Sequence, residues 1–203
     1  TKGVKFMAKF YGIKGEVRVL GVDDGPHKRG SGGQVLLVGT VFRGGSFMDG
    51  VMSTSVTADG IDATERLTEM VLKRRFKDIR VIMLDGLGFG GFNHVDIHKL
   101  SEDTGLPVIV VVRKEPGLDD IKSALKNLDE FDFRWGCVEN AGKPIPVETR
   151  PGKSIHIQFA GIKEEQAVEI TKLCSTRSMI PEPIRVAHLI AQGVVSGTSK
   201  GKA

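Results

Sequence analysis

The sequence predicts one α/β domain with a mixed sheet, in which three antiparallel strands precede alternating helices and parallel strands. A length of 203 residues suits a single domain. The first third of the chain carries β-prone stretches separated by short glycine-containing turns, which is typical of an antiparallel meander. Beyond residue 61 the hydrophobic period becomes helical, and apolar strands then alternate with helices.

The strands of the meander are expected at residues 17–22, 34–42 and 51–58, because each is rich in β-branched residues and bounded by turn residues. The glycine-rich turn at 25–33 lacks the Gly-Lys-Ser/Thr ending of a Walker phosphate-binding loop, so we interpret it as a flexible hairpin turn. The first strand thus leads into a hairpin. This excludes a Rossmann domain, whose glycine-rich turn connects its first strand to a helix.

The rest of the chain predicts helices that alternate with strands. The predicted helices span 61–75, 95–104, 118–128, 163–174 and 181–195. The predicted strands span 79–84, 107–112 and 154–159, and the remainder of 133–160 is expected to be β-rich or irregular. This order of elements is that of a ribonuclease-H-like mixed sheet, whose first and fourth strands are central and buried.

Composition excludes several classes of protein. The longest apolar run, Leu106–Val112, is far shorter than the roughly 20 residues that cross a bilayer. The two cysteines, Cys137 and Cys174, are too few and too far apart for a disulfide framework or a zinc ribbon. We therefore expect a reduced, soluble, cytoplasmic domain with no membrane partner and no haem or nucleotide cofactor.

The net charge of +4 comes from the ends of the chain. Residues 1–14 and 196–203 carry six lysines and no acid, and the rest of the chain is slightly acidic. We expect one domain over 1–203, with these two segments as flexible or added tails. Whole-chain charge is therefore weak evidence for a polyanionic partner.

Carboxylates follow the two strands that are expected to be central neighbours. Asp23 comes at the end of the first strand and Asp85 at the end of the fourth. Neighbouring parallel strands lie about 5 Å apart, so these side chains would repel unless a cation lay between them. Oxygen ligands of this kind suit Mg²⁺ or Mn²⁺. Aspartate at a strand end is also a common turn former, and Asp24 fits either role.

Four more residues are candidates for the same site. Asp62 and Glu65 lie in the first turns of the helix expected to cross this edge, although acids there also offset the helix dipole. His188 shares a helical face with apolar residues, which by itself indicates a packed core histidine. Lys114 follows the strand after Asp85, where an ammonium group would meet a phosphate or simply be solvated.

Six ordered motifs resemble the archaeal "domain of unknown function ninety-nine" family, also labelled endonuclease dU. They are Gly21–Gly25, Asp59–Thr64, Asp85–Gly88, Gly91–Asp96, Gly105–Val108 and Pro181–His188. The resemblance covers nearly the whole chain. That family is similar in turn to endonuclease V, a ribonuclease-H-like nuclease that cleaves near deaminated bases.

The resemblance implies roles for individual residues. Asp23 and Asp85 match the first and second metal-binding aspartates of endonuclease V. Lys114 resembles its active-site lysine, and His188 resembles the residue on the last helix that completes the site and its metal environment.

Three features of the chain depart from endonuclease V. The glutamate on its first helix has no single match, because Asp59, Asp62 and Glu65 all compete as the further metal ligand. The Tyr-Pro-Gly wedge is absent, since the chain's single tyrosine is Tyr11. The His-Pro-Arg sequence after the second aspartate is replaced by residues 91–93, Gly-Phe-Asn. Substrate choice therefore does not transfer.

The resulting hypothesis is a nuclease dependent on Mg²⁺ or Mn²⁺ that hydrolyses phosphodiester bonds in DNA or RNA, with uracil and hypoxanthine sites as candidate targets. One alternative is a non-catalytic nucleic-acid-binding module of the same fold. Another is a phosphohydrolase that uses the same metals on a small molecule.

Overall fold

A computed structural model describes residues 7–28, 32–73, 75–115 and 117–201. Residues 29–31 of the interpreted hairpin turn, and residues 1–6 and 202–203 of the expected tails, lie outside it. In chain order the elements are β1 Arg18–Asp24, β2 Gln34–Arg43, β3 Phe47–Thr57, α1 Ala63–Leu72, β4 Val81–Asp85, β5 Gly88–Phe89, β6 Asn93–His94, α2 Ile97–Thr104, β7 Val108–Val112, α3 Leu118–Leu125, α4 Phe131–Asn140, β8 Ile145–Arg150, β9 Lys153–Ala160, α5 Glu164–Cys174 and α6 Glu182–Ser196.

Seven strands form one sheet in the order β3-β2-β1-β4-β7-β9-β8, and β5 and β6 form a separate hairpin. The first three strands are antiparallel, and β1, β4 and β7 run parallel to one another. In the register of β1 and β4, Val22 pairs with Leu84. The predicted ribonuclease-H-like mixed sheet, with the first and fourth strands as central neighbours, is therefore confirmed.

Two stretches differ from the sequence prediction. The region expected to be β-rich or irregular from residue 133 begins as helix α4, whose apolar residues do not gather on one face and whose buried residues include Arg134. Without an apolar stripe, helical periodicity gives no signal there. Helix α3 ends at Leu125, three residues before its predicted end, and Leu125 is its one buried residue among those described.

The sheet is buried on both faces. Along β4 the side chains alternate, so that Ile82 and Leu84 pack with α1 and α2, while Val81 and Met83 pack with α5 and the start of α6. A central parallel strand covered on both sides is expected to be a continuous apolar run. The ends of β1 and β4 are consequently held by packing on both faces.

In the described part of the chain no helix is long and apolar enough to cross a membrane.

Helix α6 lies directly against β1 at Gly21. A Cβ atom at Gly21 would come within 2.3 Å of the carbonyl carbon of Pro183, in the first turn of α6. The hydroxyl of Thr40 donates a hydrogen bond of 2.6 Å to the carbonyl of the same proline. This close approach fixes the start of α6, and with it the position of His188 near the carboxyl end of β1.

We expect Gly21→Ala to destabilise the protein by about 1–3 kcal/mol, because the added methyl group meets backbone rather than a flexible side chain. At roughly 2–4 °C per kcal/mol for a chain of this size, thermal melting should shift down by several degrees. Gly136→Ala in α4 is the matched control, since no atom lies within 4 Å of its added Cβ. The control should melt at or slightly above the wild-type temperature. A Gly21→Ala protein as stable as the control would contradict the close packing.

Candidate active site

Two carboxylates meet at the carboxyl ends of β1 and β4. Asp23 is 4% exposed and Asp85 is the last residue of β4. Both follow the paired residues of adjacent parallel strands, which lie about 5 Å apart. Burial, followed by the negative charge of Asp23, raises the pKa of Asp85 to about 6. The electrostatics thus show two like charges held close together, as the strand order predicts.

His188 joins this pair from α6. Its Nδ1 lies 2.8 Å from Oδ2 of Asp23, and its side chain is 35% exposed. The hydrogen bond to Asp23 raises the pKa of His188 above its ordinary value. The apolar neighbours of His188 in sequence indicated a core residue, but its ring is partly exposed and contacts Asp23.

Asp24 holds the glycine-rich loop that follows β4. Its Oδ2 accepts a hydrogen bond of 2.7 Å from the backbone N–H of Gly90, and burial raises its pKa. Its own N–H donates to Oδ1 of Asp23 at 2.8 Å. Each carboxylate oxygen of Asp23 therefore accepts one hydrogen bond, from Asp24 or from His188, and retains further acceptor capacity.

Arg113, rather than Lys114, is the cation beside the acidic pair. Its Nη1 lies 3.6 Å from Oδ2 of Asp85, and its side chain is 48% exposed. Lys114 is exposed, and within the described ranges it takes part in no hydrogen bond or ion pair. The alternation of side chains along β7 could have identified Arg113 from the sequence. Ile109 and Val111 pack on the α6 side of the sheet, and Arg113 is the next residue on that side.

Two of the three acids near the start of α1 accept hydrogen bonds from neighbouring turns and strands. Asp62 accepts hydrogen bonds from the N–H and hydroxyl of Thr57 and from the amide of Asn93. Burial acts to raise the pKa of Asp62, but these hydrogen bonds outweigh it and the pKa is lowered. Asp59 accepts from the backbone N–H just before β6, and Glu65 is exposed. Helix α1 packs on the face of the sheet opposite α6.

A buried arginine that the sequence analysis did not single out supports this region. Arg134 of α4 is 4% exposed and donates to the carbonyl oxygens of Asp59, Gly60, Phe92 and Asp129. It thereby ties the turn before α1 to the β5–β6 hairpin. Since the N–H of Asp59 donates to the carbonyl of Gly90, this network continues into the loop that Asp24 holds.

The carboxylate oxygens of Asp23 and Asp85 are ligands of the type that a hard divalent cation prefers. The carboxylate of Asp85 is 13% exposed and its nearest cationic group is 3.6 Å away. Its pKa is raised first by burial and then by the negative charge of Asp23. A cation between Asp85 and Asp23 would relieve that repulsion. Over the described ranges no three His, Cys, Asp or Glu side chains are grouped as a formed metal cage. The site therefore offers two carboxylate ligands. Mg²⁺ usually keeps several water ligands and needs only one or two carboxylates from the protein.

Comparison with known proteins identifies the family. The model of the family described as Endonuclease dU matches residues 15–195. This chain belongs to the endonuclease dU family. A UPF0215 protein of Methanothermobacter thermautotrophicus is 55% identical over 96% of this chain and 95% of its own.

Two solved structures support the fold assignment of this endonuclease dU family member. A protein of unknown function from Archaeoglobus fulgidus superposes with a TM-score of 0.78 at 36% identity, covering 88% of this chain and 97% of that one. Endonuclease V of Ciona intestinalis, solved with a 24mer DNA containing an inosine followed by a ribo-adenosine, superposes with a TM-score of 0.58 at 18% identity. That match covers 89% of this chain and 86% of the Ciona protein.

The raised pKa of Asp85 predicts a specific pH dependence of stability in chelator. The folded protein retains this proton up to a pKa of about 6, whereas the unfolded chain loses it near 3.8. Raising the pH from 4 to 7 therefore favours the unfolded state, by on the order of 3 kcal/mol for two pKa units. The free energy of unfolding of Asp85→Asn should not fall in this way, so this variant should melt at a higher temperature than wild type at pH 7.

Thermal melting between pH 4 and 7 of wild type, Asp85→Asn and Asp119→Asn provides the measurement. His188 is common to all three proteins. The raised pKa of His188 means that its own stabilising contribution is lost as the pH rises. The charge of Asp85 helps to raise that pKa, so the difference between the first two proteins reports on Asp85 together with its effect on His188. Asp119 lies in the first turn of α3 and serves as a control for the same chemical change. Parallel pH profiles for wild type and Asp85→Asn would show that the carboxylates are not crowded.

Proposed function

We propose that this protein is a divalent-metal-dependent nuclease that hydrolyses phosphodiester bonds in DNA or RNA. The observation that carries the proposal is the crowded pair Asp23 and Asp85 on adjacent parallel strands, with His188 hydrogen-bonded to Asp23. Membership of the endonuclease dU family supports the same reaction class.

Asp23 and Asp85 are the residues that would hold Mg²⁺ or Mn²⁺. When bound, such a metal activates water for in-line attack and offsets charge on the phosphate. His188 uses Nδ1 to contact Asp23, which leaves Nε2 to exchange a proton with the water or the leaving oxygen. The raised pKa of His188 extends the pH range over which the ring is protonated, and the protonated form is suited to donate a proton to the leaving oxygen.

Arg113 is proposed to contact the phosphate that is being cleaved. It lies beside Asp85 and remains about half exposed, so its guanidinium is accessible to a ligand. Arginine binds phosphate oxygens through two parallel hydrogen bonds. Lys114, the neighbouring exposed cation, is proposed to steady a more distant phosphate of the same strand.

Deaminated bases are the proposed targets. The family description names dU, and the structurally similar Ciona endonuclease V was solved on DNA that contains inosine. Uracil and hypoxanthine both arise by loss of an exocyclic amino group. A nuclease of this family would therefore be tested first on these two bases.

A second candidate is a nucleic-acid-binding module that does not cleave. The observation that favours it is the position of the α1 acids, since Asp59 and Asp62 are hydrogen-bonded around the β5–β6 hairpin. A site with two carboxylates alone binds metal less firmly than one with three.

The test is a cleavage assay in Mn²⁺ or Mg²⁺ with labelled single- and double-stranded oligonucleotides that carry uracil, inosine or neither. We expect wild type to cleave, and Asp23→Asn to cleave at least about 100-fold more slowly, because it loses an anionic ligand without a change of shape. Affinity for the oligonucleotide should change little. Asp119→Asn, a matched change at an exposed helix start, should cleave like wild type.

The outcomes separate the three hypotheses. Equal cleavage by wild type and Asp23→Asn would contradict the site assignment. Retention of oligonucleotides by wild type without cleavage in either metal would favour the binding module. Neither retention nor cleavage would point to a phosphohydrolase of small molecules.

A further inference from the structure

A cleft opens at the opposite end of β1 from Asp23. Residues 9–18 form one wall, and Arg43, Asp78 and Arg80 form the other. Its volume is about 820 Å³, within the range of ligand-binding pockets and large enough for a nucleotide. Because β1 has seven residues, this N-terminal cleft lies roughly 20 Å from the acidic pair, at about 3.3 Å per residue.

The segment that forms the cleft is docked on the body of the protein, although its charge pattern suggested a tail. The N–H of Ala8 donates to the carbonyl of Gly161 at 2.8 Å, and the amide of Gln166 donates to the carbonyl of Phe10 at 3.2 Å. The guanidinium of Arg80 stacks 5.2 Å above the Phe10 ring. The wall is therefore a structured surface that can present side chains in fixed positions.

Tyr11 stands on this wall without packing. It is 99% exposed, while the adjacent Phe10 packs against the core. Single exposed apolar side chains are common on protein surfaces. Tyr11 differs from such residues because it lines a cleft that also contains cations. Proteins that bind single-stranded nucleic acids combine a positively charged groove with aromatic side chains on which the bases stack.

The cations of the cleft fall into two groups. Arg18 and Arg43 share the carboxylate of Asp49, at 2.8 and 2.9 Å, so each has an acidic partner. Lys9 and Lys14 have no carboxylate within ion-pair distance in the part of the chain that the structure describes. Positive charge left uncompensated beside an exposed aromatic ring favours a ligand with both phosphate and base.

Acidic residues do not cancel this charge. Asp78, which lines the cleft, is bound by Arg18 at 2.7 Å. Glu16 is the other acid of the lining. The guanidinium of Arg80 bonds to the carbonyl oxygen of Lys9 and to no carboxylate among the described residues, so it adds to the positive side.

We propose that the N-terminal cleft binds a single-stranded segment of nucleic acid, with a base stacked on Tyr11 and the flanking phosphates beside Lys9 and Lys14. The proposal rests on the proposed function for the class of ligand. It adds a second contact site that holds the substrate about 20 Å from the point of cleavage. Stacking tolerates any base, so this site contributes affinity and length dependence rather than sequence preference.

The test measures binding of a fluorescent oligothymidylate by anisotropy, with the full chain in chelator. In chelator no metal ion links the strand to Asp23 and Asp85, so the cleft contributes a larger share of the binding. Tyr11→Leu should weaken binding roughly 5- to 100-fold, the value of one stacked base, while Tyr11→Phe should retain it. Unchanged binding by Tyr11→Leu would overturn the proposal.

The lysines are tested through salt dependence. The double variant Lys9→Gln/Lys14→Gln should flatten the slope of log affinity against log salt by about 1.4, at roughly 0.7 per contact with a single strand. The control Lys126→Gln/Lys153→Gln removes two exposed lysines outside the cleft and should leave the slope unchanged. Equal slopes in the two double variants would overturn the assignment.

A free nucleotide is distinguished from a strand by competition. Displacement of the oligothymidylate by uridine monophosphate at the same concentration would indicate a nucleotide pocket and would overturn the proposal of a bound strand.

Failure of this inference can be distinguished from failure of the proposed function. If substrates are cleaved but Tyr11→Leu binds like wild type, the cleft proposal fails alone. If Tyr11-dependent binding occurs without any cleavage, the nuclease proposal fails alone.

Discussion

The crowding of Asp23 and Asp85 is the constraint on which the rest of this site depends. Both carboxylates end strands that are buried on two faces, so they cannot separate without disturbing the core. Because the two side chains are held in place, their repulsion is reduced by protonation and by hydrogen bonding. The pKa of Asp85 rises to about 6, and His188 donates a hydrogen bond to Asp23. Such a costly arrangement of like charges is common at functional sites, where stability is sacrificed for chemistry.

The elements around the pair act as a frame. On one face, the contact of Gly21 with α6 sets the position of His188. On the other face, Asp24 holds Gly90, and the network of Arg134 holds the hairpin from which that loop comes. Arg134 contacts carbonyl oxygens alone among the described residues, so it fixes backbone positions without neutralising the site. The hydrogen bonds of Arg134 therefore hold the surrounding turns without adding a cationic partner to the acidic pair.

The central part of the fold is predictable from sequence because its signals are local. Apolar runs mark β1 and β4, and each run ends at an aspartate, so strand order alone brings Asp23 and Asp85 together. Other features depend on tertiary contacts. Helix α4 has no apolar stripe, and Arg134 on it finds its partners in turns distant in sequence. The sequence places Asp62 and Glu65 on a helix expected to cross the same edge, but it does not reveal that this helix packs on the face of the sheet opposite His188.

The central claim is that Asp23 and Asp85 jointly bind a divalent metal, and metal-dependent melting measures it most directly. Mn²⁺ at about 100 times its dissociation constant should add about 2.7 kcal/mol to the stability of wild type. That corresponds to an upward shift of roughly 5–10 °C. The shift should be nearly absent in Asp85→Asn and intact in the control Asp119→Asn. Equal shifts in wild type and Asp85→Asn, or no shift in wild type, would contradict a metal site at these two strand ends.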